Sequence, residues 1–111
     1  MRFMILSVGR DPLLLKTRRA ALAAAGYAVE SVTSLTSAIE KILEGDLDLI
    51  LLCNSLREKE RLRLVHICRI RIPSIPILVV SEHGAASSAS GVALTPPQQI
   101  VAEAVAEALP R

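Results

Sequence analysis

Aromatic residues are almost missing. Phe3 and Tyr27 are the only two rings in 111 residues, and there is no tryptophan. Proteins that grip single-stranded nucleic acid stack its bases on exposed rings, so a nucleic-acid partner is poorly supplied here. An excess of one charge is missing too. Thirteen Lys and Arg against eleven Asp and Glu leave a formal charge of +2, too little for a general polyanion binder. Cysteine occurs only as Cys53 and Cys68, which cannot build a disulfide framework, and no metal-ligand spacing accompanies them. Long hydrophobic runs are also lacking: the opening MRFMILSVGR is too short in its apolar part for a membrane span or a secretory signal. Free thiols are normal in a reducing compartment, so the cytoplasm is the expected location and no membrane partner is expected.

What the chain does have is aliphatic mass, with 51% hydrophobic residues against 22% charged. That supports a buried core in one domain spanning 1–111. RFMILSV reads as a strand covered on both faces, since it lacks clean alternation. In DPLLLKTRRAALAAAG, Asp11 suits an N-cap, Pro12 the first helical position and Gly26 the residue after the helix. Helical spacing there sorts Leu14, Leu15 and Leu22 from Arg18 and Arg19 onto apolar and basic faces. YAVESV is a second strand. Ser34 caps a second helix, LTSAIEKILE, with Leu35, Ala38, Ile39 and Ile42 inward and Gly45 closing it.

LDLILLC is a third strand. A charged helix follows over roughly 57–70, with Leu62, Val65 and Cys68 expected on its buried side. IPSIP ends it, because the residue before a proline is pushed out of the helical region. ILVVS is a fourth strand, EHGAASSASG a small polar loop, VAL a short fifth strand, and TPPQQIVAEAVAEAL a last helix. Its Ile100, Val101, Ala104, Val105, Ala108 and Leu109 form an apolar stripe opposite Glu103 and Glu107. Strands alternating with helices argue for an α/β fold with a parallel sheet covered on both faces. The expected architecture is a flavodoxin-like three-layer sandwich with five parallel strands in the order 2-1-3-4-5.

ILSVGRDPLLLKTRRAALAAAGYAVESVTS, GDLDLILLCNSL, IPSIPILVVSE and GVALTPP together resemble the receiver domain of bacterial response regulators over nearly the whole chain. The resemblance implies a two-component signalling domain, and it also implies a site at the C-terminal ends of the strands. In that family an aspartate ending the third strand accepts a phosphoryl group; the matching position is Cys53. The acidic pair that holds Mg²⁺ falls on Gly9 and Arg10, and the lysine before the proline falls on Thr95. The switch aromatic falls on Val92. Only the hydroxyl ending the fourth strand matches, as Ser81.

Mg²⁺ takes hard oxygen ligands, and phosphoryl transfer depends on positioning and charge neutralisation. Gly9, Arg10 and Cys53 supply neither. The expectation is a degenerate receiver that needs no cofactor, runs no enzymatic reaction and acts through protein partners, with homodimerisation among its expected contacts. The expected contact surface is the strand-end region around Gly9, Arg10, Cys53, Ser81 and Thr95, with loop 82–91 and the last helix. EHGAASSASG is too short for a typical helix of about 11 residues plus its connections, so the fourth helix is expected to be shortened or missing.

Two rival readings attach to the same residues. Cys53 as a redox-sensing thiol requires a nearby cation to lower its pKa, and Arg10 is the candidate. A vacated metal site could instead hold a small molecule or anion. The run of Arg57, Lys59, Arg61, Arg63, Arg69 and Arg71 reads as a solvated helix face, with an acidic partner or nucleic acid as the sharper alternative. His66 and His83 make no metal site.

Overall fold

The computed structural model describes residues 3–53, 55–80, 86–88, 91–93 and 105–109; for 86–88 and 91–93 the description stops at the backbone. Four strands form a parallel sheet: β1 (Met4–Val8), β2 (Ala28–Val32), β3 (Leu49–Cys53) and β4 (Ile77–Val80). Their order is 2-1-3-4. The crossovers are helices α1 (Pro12–Ala24), α2 (Leu35–Glu44) and α3 (Glu58–Arg71). This is the flavodoxin-like arrangement the alternating pattern predicts.

Local chemistry fixes the helix ends. The Asp11 carboxylate accepts from the Leu13 and Leu14 N–H groups at 3.0 and 3.3 Å, with Pro12 at the first helical position. The Ser34 hydroxyl accepts from Ser37 N–H at 3.1 Å. Gly45 ends α2 in the left-handed region at φ 85°, where a side chain would be strained.

Every residue of β3 is buried, as expected of a strand with helices on both faces. Alternation along the strands splits the core in two. Leu6, Val8, Ile50, Leu52 and Ile77 pack with Ala38 and Ile42 of α2 and Leu64 and Cys68 of α3. On the opposite face Ile5, Leu49, Leu51, Leu78 and Val80 pack with Leu22 of α1, with Val105 of a helical turn over 105–108 and with Leu109 just after it. Phe3 and Tyr27 pack at the margin of this second cluster, ring centroids 6.5 Å apart. Both rings are thus spent on packing.

Three expectations need correction. First, among the described residues the strand that follows β4 in the sheet is not parallel to it. The sheet continues with β5 (Ala86–Ser88), antiparallel to β4, and then β6 (Gly91–Ala93), antiparallel to β5. Part of the expected loop is therefore strand. The cause is length: only residues 81–90 separate β4 from β6. A parallel neighbour needs a crossover of about a dozen residues or more, whereas antiparallel strands need only a tight turn. Residues 86–88 of that stretch are strand; the rest of the span expected to lack a fourth helix lies outside the described residues.

Second, Leu62 is not on the buried side of α3. Leu64 and Cys68 are buried and Val65 is half-buried, while Leu62 is 60% exposed. The alternating RLRLVHICRIRI spreads its apolar residues around the helix, so sequence spacing alone does not pick the inward face. Third, Arg18 does not lie on an outer basic face: it is 2% exposed. It stands three residues after Leu15 and four before Leu22, both buried, so helical geometry carries it inward.

Candidate functional site

The C-terminal ends of β1 and β3 lie side by side, with Val8 opposite Leu52. The next residue on each strand is a site position, Gly9 and Cys53. Gly9 N–H donates to the Val32 carbonyl at 3.2 Å and so holds the chain end against β2. A Cβ placed on Gly9 would lie 2.8 Å from Cys53 Cβ, 3.3 Å from a Leu15 methyl and 3.5 Å from Cys53 Sγ. Real Cβ atoms do not approach that closely, so the strands meet here only because Gly9 has no side chain.

Cys53 is 2% exposed. Its alternation along β3 puts it on the α1 face with Leu49 and Leu51. Burial pushes the thiol up, but hydrogen bonds from Ser55, and then the hydrogen bond and charge of Arg18, outweigh it. The net direction is down. Ser55 N–H lies 3.5 Å from Sγ, and the Ser55 hydroxyl accepts from Arg10 N–H at 3.1 Å. Cys68 contrasts with it. Buried in the α2–α3 core, its thiol is pushed up to about 11, the behaviour of a packing residue.

The cation beside Cys53 is therefore Arg18, where sequence reasoning expected Arg10. Arg10 turns instead to α3. Its Nε donates to Glu60 Oε1 at 3.3 Å and its Nη2 pairs with Glu60 Oε2. The pair holds the Glu60 carboxyl below its usual range and the Arg10 guanidinium above its own. Glu60 also accepts from Arg57 N–H at 3.1 Å, which closes the first turn of α3. Arg18, Ser55 and Glu60 are the site residues sequence reasoning missed. For Arg18 the signal was present in the Leu15–Arg18–Leu22 spacing; Glu60 and Ser55 are joined to the site only by tertiary folding.

Of the sequence-predicted positions, the structure brings Gly9, Arg10 and Cys53 together. Ser81, Thr95, most of loop 82–91 and residues 94–104 lie outside the described residues, and so does Asn54. Mg²⁺ does not fit the donors in hand. Gly9 has no side chain, Arg10 is cationic and paired, Cys53 offers a buried soft sulfur, and Asp11 is spent on the α1 cap. Among the described residues no group of three or more His, Cys, Asp or Glu is placed to hold a metal ion, and no helix is long and apolar enough to cross a membrane.

A scan against protein-family models gives no match, and a search of curated proteins gives none. Solved structures do match. The chain is similar to the receiver domain of the hybrid histidine kinase CckA, at TM-score 0.77 and 21% identity, over 96% of this chain and 99% of that one. It is similar to the receiver domain of NtrC4 from Aquifex aeolicus, at TM-score 0.74 and 19% identity, over 97% and 96% of the two chains. A response regulator receiver protein from Sinorhizobium medicae WSM419 matches at TM-score 0.65 and 24% identity, over 72% of this chain and 66% of that one. At these identities the likeness is one of fold: the chain has the receiver-domain fold, and what it does must be argued from its own site.

Proposed function

We propose that this chain is a pseudo-receiver, a non-enzymatic signalling module that works through protein contacts and does not use an aspartyl-phosphate switch. The observation that carries this reading is the closed contact between Gly9 and Cys53, with a Cβ-to-Cβ distance of 2.8 Å for any residue larger than glycine. A phosphoryl acceptor needs an exposed oxygen nucleophile beside a bound cation. This position offers a buried thiol, a glycine and an arginine already committed to Glu60. The test is incubation with a small acyl phosphate and Mg²⁺ followed by intact-mass measurement. An unchanged mass is expected, and a stable gain of one phosphoryl group overturns the proposal. Homodimerisation through the strand-end surface belongs to the same reading. Light scattering across a concentration series checks it, and a monomeric mass at the highest concentration removes it.

A second reading has one observation in its favour: the buried Arg18 guanidinium lies against the Cys53 thiol and helps lower its pKa. On that reading Cys53 is a redox-sensing thiol. Alkylation rate against pH separates the two, since an ordinary midpoint near 8.5 removes the sensor.

A further inference from the structure

The third helix presents an outward face of unusual make-up. With about 100° per residue, Lys59, Leu62, Arg63, His66, Arg69 and Ile70 fall within one arc of about 120°, directly opposite the buried Leu64 and Cys68. All six are exposed, and Leu62 and Ile70 are 60% and 69% exposed. No acidic residue lies on this arc. Glu60 is turned toward Arg10 and Glu58 lies off the stripe. Among the described residues Lys59 and Arg63 form no ion pair. Arg69 is steadied by the Pro73 and Ile75 carbonyls at 3.0 and 2.8 Å, which satisfy hydrogen bonds and leave its charge in place. Segment 57–71 carries six cations and two acids in a chain whose formal charge is only +2, so the rest of the molecule is net acidic. Positive charge is concentrated here.

We propose that this face of α3 docks an acidic amphipathic helix of a partner protein. Leu62 and Ile70 stand eight residues apart, about 12 Å along the axis, which matches apolar anchors two turns apart on a facing helix. Lys59, Arg63 and Arg69 flank them and suit Glu or Asp beside those anchors. The two aliphatic side chains argue for protein over nucleic acid: a phosphate backbone rewards the cations but gains nothing from covering leucine and isoleucine. The surface is separate from the Gly9–Cys53 site, so this inference would stand even if Cys53 accepted a phosphoryl group, and its failure would leave the pseudo-receiver reading untouched.

The test uses the 111-residue chain and a designed, fluorescently labelled 18-residue acidic helix with leucines at i, i+4 and i+8 flanked by glutamates. The controls are a scrambled peptide of the same composition and a 20-base-pair DNA duplex. Binding by anisotropy is expected for the patterned peptide, at least about tenfold tighter than for the scramble. Leu62→Ser/Ile70→Ser and Lys59→Glu/Arg63→Glu should each weaken it about tenfold or more. These positions are exposed, so the variants are expected to keep the wild-type circular dichroism and melting temperature. The proposal is overturned by no binding of the patterned peptide at millimolar concentration, by equal binding of the scramble, by tighter binding of the duplex, or by serine variants that bind as the wild type does.

Discussion

The guanidinium of Arg18 is buried against the thiol of Cys53, on the face of the sheet whose buried cluster is built from Ile5, Leu22, Leu49, Leu51, Leu78 and Val80. The hydrogen bond and the charge of Arg18 favour the thiolate against the burial that opposes it.

That relationship predicts a titration. Thiolate absorbance at 240 nm should rise at a lower pH than in an ordinary cysteine, and the step should vanish in Cys53→Ser. Cys68 should stay silent until about pH 11. Arg18→Leu keeps the buried volume but removes the charge, so the Cys53 step should move up. An unchanged step in Arg18→Leu would mean that Ser55 alone sets it.

The contact at the strand ends predicts a steric cost. Gly9→Ala should lower stability by about 1–3 kcal/mol, because a Cβ would need to displace packed neighbours. The nearest atom is Cys53 Cβ, so Cys53→Ala in the same chain should leave the penalty in place, whereas Cys53→Gly should relieve it. Denaturant melts of the wild type, the three single variants and the two double variants measure this. Equal stability of wild type and Gly9→Ala would refute the close approach.

The Arg10–Glu60 pair predicts an acid dependence. Glu60 titrates below its usual range in the folded protein, so its stabilising contribution is complete above the ordinary glutamate pKa. It is lost as the pH falls through the lowered folded value. Between about pH 5 and pH 3 the wild type should lose more stability than Glu60→Gln. Both side chains meet solvent, so added salt should shrink the difference. Parallel acid profiles for the two proteins would show that the pair contributes nothing.

Asp11 predicts a cap and nothing more. Asp11→Ala should cost about 1 kcal/mol, and Asp11→Asn much less, since either Asp or Asn can accept from the Leu13 and Leu14 N–H groups. Millimolar Mg²⁺ should not raise the melting temperature of wild type or variant. A rise that disappears in Asp11→Ala would make this residue a ligand.

Elements that announce themselves locally were legible in the sequence. Asp11–Pro12 starts α1, Ser34 and Gly45 bracket α2, and the unbroken apolar run of β3 marks a strand buried on both faces. The inward face of α3 was not legible, because its leucines and isoleucines do not keep a helical period. The antiparallel pairing of β5 with β4 follows from a span too short for a parallel crossover, and a short polar stretch looks the same whether it ends as loop or as a paired strand. At the site, the identities of Gly9, Arg10 and Cys53 were plain, yet their partners were not. Arg10 finds Glu60 fifty residues away, and Arg18 reaches Cys53 across the sheet face. Such pairings exist only once the chain has closed on itself.

The approach of Gly9 to Cys53 also bears on which side chains the strand ends can accept. An aspartate at position 53 has a Cβ where the cysteine has one, so a carboxylate there leaves the space above Gly9 as tight as before. An acid at position 9 would collide, and one at position 10 would strand Glu60 without its partner. A single acid placed at position 9 or 10 therefore begins at a loss, and the closed arrangement limits which carboxylates the strand ends can take one at a time.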